Sequence, residues 1–409
     1  VALAVSSIGA ILPVLDTGAS VLTGAQRIFS GISVFSLLAI PFFILAGNLM
    51  NKGGIAIRLI NFAKLFTGNI PGALAHTNAV ANMLFGAISG SGTAAAAAIG
   101  GTMAPIELEE GYDKDYVAAV NIASAPTGQL IPPSNTLIVY ATVAGSVSVA
   151  ALFMAGYIPG IAWGISLMFI AGYMAKRRGY VSTFSVTPKE ALKVLWDALP
   201  SLLLIIIVIG GILKGVFTAT EGSAIAVVYA LILSLCYRSL KIKDLPSIIL
   251  SSCKTTCIVI FMIGVSSIMS WVMAYTMIPT AIANAMLSLS SNKYVILLLM
   301  NVILLVVGTF MDPTPAVLIF TPIFLPICQS FGMDPVQFGI MIVFNLCIGT
   351  ITPPVGVILF TGCKVVGISI EGVIKTLLPF FAAIAVVLLL VTYVPAMSMW
   401  IPSMLGLVK

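Results

Sequence analysis

Ser89-Gly90-Ser91-Gly92-Thr93, followed further on by Ser124-Ala125-Pro126-Thr127-Gly128-Gln129-Leu130-Ile131-Pro132-Pro133-Ser134-Asn135, decides how the rest of the chain is read. Adding 221 to these numbers produces a second version: Thr93 meets Thr314, Pro105 meets Pro326, Gly111 meets Gly332 and Asp113 meets Asp334. Gly128 meets Gly349, and Pro132-Pro133 meet Pro353-Pro354. The shift of 221 holds without a gap from Thr93 to Ser148, which falls on Ser369. The chain therefore contains two copies of one unit.

Both copies place glycine, proline and hydroxyl residues inside runs that are otherwise continuously apolar. In hydrocarbon a broken helix strands backbone N–H and C=O groups, at a cost on the order of several kcal/mol each, unless the break is buried in protein or lines a cavity. Matched interruptions in two hydrophobic halves point to the binding site of a secondary transporter.

Composition agrees. With 60% hydrophobic and 8% charged residues, the chain reads as an all-α polytopic membrane protein. The longest stretch without a spanning-length apolar run, residues 176–194, is too short to bury a soluble core. The net charge of +6 is spread over short loops, so it speaks of membrane topology and not of nucleic acid. The first apolar run, residues 1–15, is shorter than the ~20 residues a span needs, so its start is expected to precede Val1. A cleaved signal peptide is the alternative, without a basic segment to support it. Cys236, Cys253, Cys257, Cys328, Cys347 and Cys363 read as buried reduced thiols. Cys253 and Cys257, at i and i+4, leave a metal or disulfide role as the other reading.

Topology follows along the chain. Residues 32–50 form a span, and residues 54–66, carrying Arg58 and Lys64, an amphipathic arm in the interface. Residues 70–106 form a re-entrant hairpin, and Glu107-Leu108-Glu109-Glu110-Gly111-Tyr112-Asp113-Lys114-Asp115 a solvated loop. Residues 116–144 form a broken helix, and residues 150–175 a span ending at Lys176, Arg177 and Arg178, which the positive-inside rule places in the cytoplasm. Residues 176–194 are a cytoplasmic loop, and two further spans bring Arg238, Lys241 and Lys243 to the same side. After a span at 253–275 come an uncharged arm at 277–290, a second hairpin at 293–330, a second broken helix at 335–366 and a last helix at 376–400. The repeats occupy 1–175 and 195–409, five crossings apart. An odd number makes the repeats inverted in topology, with the N-terminus cytoplasmic and the C-terminus outside.

At each hairpin tip one half-helix ends and another begins, so stranded carbonyls and N–H groups converge. Carbonyls with the hydroxyls of Ser89, Ser91, Thr93, Thr309 and Thr314 make a neutral oxygen cage suited to a hard monovalent cation, and half-helix N-termini suit a carboxylate. Sodium with an organic anion is the economical pair. Close helix packing is the alternative for the small residues, and the only one needed for the alanines at 94–98. Asp312 lies deep between apolar runs, either as a sodium or gating group or as an N-cap preceding Pro313. Lys254 and Lys364, near helix ends, snorkel, and Glu221 suits the dipole of the helix it opens. His76, the only histidine, could with Ser91 suggest an intramembrane serine protease, but the duplicated breaks would then go unexplained. Nor is there a phosphate-binding Gly-Lys-Ser/Thr loop to use ATP. The chain reads as a transporter and not as an enzyme.

Gly-Ser-Gly-Thr at the first tip, Asn121-Ile122-Ala123-Ser124 leading to Pro126-Thr127-Gly128 and Ile131-Pro132-Pro133-Ser134, Gly308-Thr309-Phe310-Met311-Asp312, and Gly349-Thr350-Ile351-Thr352-Pro353-Pro354-Val355-Gly356 together resemble the large membrane subunit of tripartite ATP-independent periplasmic (TRAP) transporters. The resemblance covers nearly the whole chain. It implies a sodium-driven importer of carboxylate solutes in a bacterial inner membrane, with a periplasmic C-terminus and an elevator mechanism. A small four-helix membrane subunit and a periplasmic binding protein are the implied partners. Carried over by position, Na+ falls on Ser89, Ser91, Thr93, Gly128 and Pro132 in one repeat and on Gly308, Thr309, Asp312, Thr314, Gly349 and Thr352 in the other. Substrate contacts fall on Ser91, Ser134, Asn135, Thr136 and Gly356. Because Val355-Gly356 stand where the first copy has Ser134-Asn135, the polar substrate contacts should lean toward the first repeat. The motifs are closest to members that carry sialic acid, with C4-dicarboxylate or another sugar acid as alternatives. A passive anion channel and a scaffold subunit without a substrate path are the rival classes.

Overall fold

The computed structural model describes residues 21–68, 70–145, 147–180, 188–290 and 292–408, so the expected first run at 1–15 lies outside them. Among the described residues the regular structure is helical, and eight helices are long and apolar enough to cross a membrane. A short helix not anticipated from sequence, α1 (Val21–Ile32), leads through a 3-10 turn into α2 (Ala39–Lys52) and the arm α3 (Ile55–Thr67). The first hairpin is α4 (Ala73–Ser89) and α5 (Gly92–Glu109). The first broken helix is α6 (Lys114–Ser124), a 3-10 segment (Ala125–Gln129) and α7 (Asn135–Ala144). Then come α8 (Val149–Arg178), α9 (Pro188–Leu213), α10 (Ala219–Cys236) and α11 (Leu245–Tyr275). The second copy runs through the arm α12 (Ile278–Leu289), the hairpin α13 (Lys293–Phe310) and α14 (Pro313–Ser330), the broken helix α15 (Pro335–Gly349) and α16 (Val357–Val366), and α17 (Ile370–Tyr393). Helix α18 (Ala396–Met404) follows.

The repeat seen in sequence is a repeat of element boundaries. Helices α5 and α14 begin at 92 and 313, α6 and α15 at 114 and 335, and α8 and α17 at 149 and 370, each pair 221 apart. The N-caps repeat with them: Ser91 and Asp312, Asp113 and Asp334, Ser148 and Ser369. All but Asp113 accept a backbone N–H of the first turn, satisfying a donor that a helix start would otherwise strand.

The two broken helices lie side by side and run antiparallel. Helix α6 packs on α16 and α7 on α15, and the contact of α5 with α16 is mirrored by that of α14 with α7. At one end the Tyr140 hydroxyl on α7 donates to the Pro335 carbonyl on α15, and at the other Thr376 on α17 donates to Asp115 on α6. Two oppositely oriented copies produce this arrangement. The arms α13 and α14 have 18 residues each, about 27 Å and enough to cross alone. Their tip meets the break between α15 and α16, partway along that helix.

Three expectations change, and one reading already set aside is closed. Helical structure resumes at Pro188, so the stretch 176–194 is shorter as a loop than its sequence suggested, and 181–187 lie outside the described residues. Glu107, expected in solvent, is fully buried as part of α5. Cys236, Cys253 and Cys257 are exposed on the outside of the chain, on helix faces that no other described element covers; only Cys328, Cys347 and Cys363 are buried. His76 and the first tip stand at opposite ends of α4, about 20 Å apart along its axis, which removes a dyad with Ser91. The arm α3 is tied to protein as well as interface: the Arg58 guanidinium lies 3.5 Å from the Tyr237 ring centre and pairs with Asp197 at 3.7 Å.

Candidate functional site

In each copy the hairpin tip closes on the break through bare backbone. A Cβ on Gly128 would fall 2.2 Å from the Gly86 Cα, and one on Gly349 would fall 2.4 Å from the Gly308 Cα. Only glycine allows two chains to approach so closely. Gly90, at φ +61°, faces the Pro133 carbonyl and the Asn135 backbone N–H, and the Gly356 N–H donates to the Thr309 carbonyl at 3.3 Å. The two joints also meet each other. Gly92 at the first tip abuts Ile358 of α16, and the Cys347 thiol on α15 donates to Gln129 Oε1 in the first break at 3.2 Å.

The hydroxyls around these joints share one habit. Thr127, Thr309, Thr350 and Thr352 donate their protons to the carbonyls of Ser124, Val306, Cys347 and Ile348, at 2.6, 2.7, 2.7 and 2.7 Å. A hydroxyl whose proton is committed to its own helix presents lone pairs only, the form in which it ligates a cation. At the first tip the Ser91 and Thr93 hydroxyls stand 3.1 Å apart, Ser91 accepts the Ala94 N–H at 3.3 Å, and Ser89 donates toward the Ser91 carbonyl at 3.5 Å. Neutral oxygens of this kind suit a hard monovalent ion better than a soft metal. Thr127 and Thr350 were not singled out from sequence, although they adjoin the assigned Gly128 and Gly349 in the two breaks.

Other predicted residues fall as follows. Pro132 is buried, and both Pro132-Pro133 and Pro353-Pro354 are cis. Asp312 caps α14 by accepting the Thr314 N–H at 3.2 Å, and it is exposed on the outside of the chain rather than enclosed. Thr314 is half-buried. Ser134 is occupied: it donates to the Gln129 carbonyl and accepts the Leu137 N–H, capping α7. Thr136 is buried. Asn135 differs, since its Oδ1 is buried without a partner beside the first tip. In the second break Gly356 takes φ +47°, and Pro354 and Val355 are exposed.

Sequence reading missed a set of buried amides. Asn82 on α4 donates to Asn78 Oδ1 at 2.8 Å, to Ser124 at 2.8 Å and to Asn121 at 3.2 Å. Two asparagines spaced i, i+4 in an apolar helix were the available signal.

The family described as the tripartite ATP-independent periplasmic transporter, DctM component, matches residues 1–397. The chain belongs to this DctM family. It is the large permease component of a TRAP secondary transporter, a multi-pass membrane protein and not an enzyme. Among relatives, "Uncharacterized protein YgiK" of Salmonella typhimurium is 52% identical over 98% of this chain and 93% of its own. The isethionate TRAP transporter permease DctMQ of Oleidesulfovibrio alaskensis is 41% identical over 92% of this chain but 59% of its own. The C4-dicarboxylate large permease DctM of Pseudomonas aeruginosa is 38% identical over 98% and 93%, and the sialic acid large permease SiaM of Vibrio cholerae 36% over 96% and 92%. The YdaH transporter of Alcanivorax borkumensis shares the fold, with a TM-score of 0.64 at 13% identity, over 90% of this chain and 86% of its own. So does MtrF of Neisseria gonorrhoeae, with a TM-score of 0.61 at 13% identity, over 95% and 85%.

Proposed function

We propose that this DctM-family chain imports an organic anion by coupling it to sodium, with a cation at each tip-and-break joint. The observation that carries the reading is the pairing of two glycine joints with threonine hydroxyls whose protons are already committed. Asn135, with an open acceptor beside α7's first turn, and the half-helix starts at Ser134 and Gly356 flank the space for the anion. The hairpins and broken helices, packed on one another, move as one elevator unit against the arms and outer helices.

The family's description names a tripartite periplasmic system, which supports a small four-helix membrane subunit and a periplasmic binding protein as partners. It also supports the bacterial inner membrane; the positive-inside reading of Lys176, Arg177 and Arg178 gives a cytoplasmic N-terminus and a periplasmic C-terminus. The relatives' names cover sialic acid, C4-dicarboxylates and isethionate, all organic acid anions. N-acetylneuraminate is the first solute to try.

The test is uptake into proteoliposomes holding the chain and its small subunit, with the binding protein outside. N-acetylneuraminate, a C4-dicarboxylate and isethionate are each offered with and without an inward sodium gradient. Sodium-driven accumulation of one of them is the expected result. Uptake that only equilibrates, regardless of sodium, would make the chain a passive channel.

A further inference from the structure

Glu107 is fully buried near the end of α5, three residues before the exposed Glu110. Its carboxyl meets one donor group, the Asn78 amide, 3.4 Å from each oxygen. From Asn78 a seam of amides runs through Asn82 to Asn121 and Ser124, the last residue of α6 before the break. Asn82 Oδ1 lies in this seam buried and without a partner.

The second copy shows what the fold needs at this place. Glu107 plus 221 is Cys328, and Met300 stands eight residues before Gly308 as Asn78 stands eight before Gly86. Cys328 and Met300 touch sulfur to sulfur at 4.0 Å, in the role of Glu107 and Asn78. Asn82 and Asn121 correspond in the same way to Leu304 and Ile342, both fully buried. An apolar pair thus packs the Glu107 and Asn78 position; the second copy keeps one buried amide contact, Asn345 to Asn301 at 2.7 Å, but no carboxyl, so the buried carboxyl and the amides that reach it are peculiar to the first copy, made against a desolvation cost.

The groups around Glu107 supply no counter-charge. The segment after α5 and the start of α6 bring the phenols Tyr112 and Tyr116 with Asp113, Lys114 and Asp115, both aspartates bound to Arg178, and the end of α5 brings the exposed Glu109 and Glu110. Helix α4 brings His76, which faces Gly172 on α8, while α3 brings Arg58 and Lys64 and α16 brings Lys364. The 3-10 segment carries no titratable group. Among the described residues, the side-chain partner of Glu107 is the Asn78 amide and no ion pair reaches it.

We propose that Glu107 is a proton site linked through the asparagine seam to the cation site of the first break, holding its proton until sodium arrives and then releasing it. Out of water and without a cation, a carboxyl is favoured neutral; a cation at the other end of the seam, in a low dielectric, favours the carboxylate. In the step the Glu107 O–H bond breaks, its electron pair stays on the carboxylate, and the proton leaves to water past the loop at 110–113. One positive charge leaves as Na+ enters, so the net charge of the unit is unchanged. By reciprocity, protons weaken sodium binding. This inference rests on the sodium reading above.

The test uses the full transporter, purified with its small subunit in a weakly buffered solution. Adding sodium chloride, against a potassium chloride control, should release about one proton per chain. Glu107→Gln should abolish the release yet keep sodium-dependent thermal stabilisation. Apparent sodium affinity should rise about tenfold from mildly acidic to mildly alkaline pH in the parent and stay flat in Glu107→Gln. Proton release undiminished in Glu107→Gln would overturn the proposal. A fold-preserving control is Glu107→Cys with Asn78→Met, the second copy's own pairing, expected to behave like Glu107→Gln. Infrared spectra without sodium supply an independent arm: a protonated carboxyl band at neutral pH that Glu107→Gln removes is expected, and its absence would sink the proton site. If sodium stabilises nothing in the parent, the sodium reading fails, and with it the linkage, while the infrared arm still decides whether Glu107 holds a proton.

Discussion

Both terminal nitrogens of Arg178 reach Asp115, at 2.9 and 2.7 Å, in a bidentate pair that joins the end of α8 to the start of the first broken helix. Thr376 donates to the same carboxylate and Arg178 also reaches Asp113 at 2.9 Å, so the starts of α6 and α17 and the end of α8 share one membrane face. Arg178→Lys should lose the fork, since an ammonium cannot span two oxygens. The pair is about three-quarters buried, and a loss of about 1–2 kcal/mol is expected, read as a lower melting temperature in detergent.

The side of the membrane on which that face lies is open to test. Lys176, Arg177 and Arg178, with Arg238, Lys241 and Lys243, should be cytoplasmic and the arm α12 external. On a background lacking the native thiols, Ser290→Cys should react with an impermeant reagent only from outside. Labelling only from the cytoplasm would contradict the inverted repeat.

Gly349→Ala tests the joint itself. The added methyl would meet Gly308 backbone, which cannot rotate away, so tip and break must part, at about 1–3 kcal/mol. Sodium-dependent stabilisation should weaken at least tenfold. Gly101→Ala, with nothing within 4 Å of the new Cβ, is the matched control and should behave like the parent.

Ser91→Ala and Thr352→Val each remove one proposed ligand. Sodium-dependent stabilisation of the purified protein should weaken in both. No change in either would take those residues out of the assignment.

Asp312→Asn separates charge from capping. Asparagine can still accept the Thr314 N–H, so assembly should be preserved. If the carboxylate also serves the cation, transport should fall at limiting sodium and recover as sodium rises. Normal uptake across the titration would leave Asp312 as a cap alone.

The sequence carried the repeat because glycine, proline and short polar caps are tied to backbone geometry, which both copies share: Ser91 and Asp312 differ chemically yet cap the same turn. It did not carry what depends on neighbours distant in sequence. Glu107 looked solvated beside Glu109 and Glu110, and only the packing of α5 on α4 shows that it faces inward to Asn78. Cys253 and Cys257 looked buried because hydropathy cannot tell a face turned to lipid from one turned to protein. Thr127 and Thr350 stood out only when their hydroxyl protons were traced to backbone carbonyls.

The glycine joints also determine how this site would look to a geneticist. A ligand built from carboxylates tolerates its chemical cousins, so a saturation scan finds it by charge. Here Gly86, Gly128 and Gly349 leave no room for any side chain, while a Cβ on Gly308 would stand 3.1 Å from the Gly349 Cα and needs its neighbour to give. At the first three positions every replacement, down to alanine, should score alike, and the centre of the transporter would appear as a fitness signature of size rather than of chemistry.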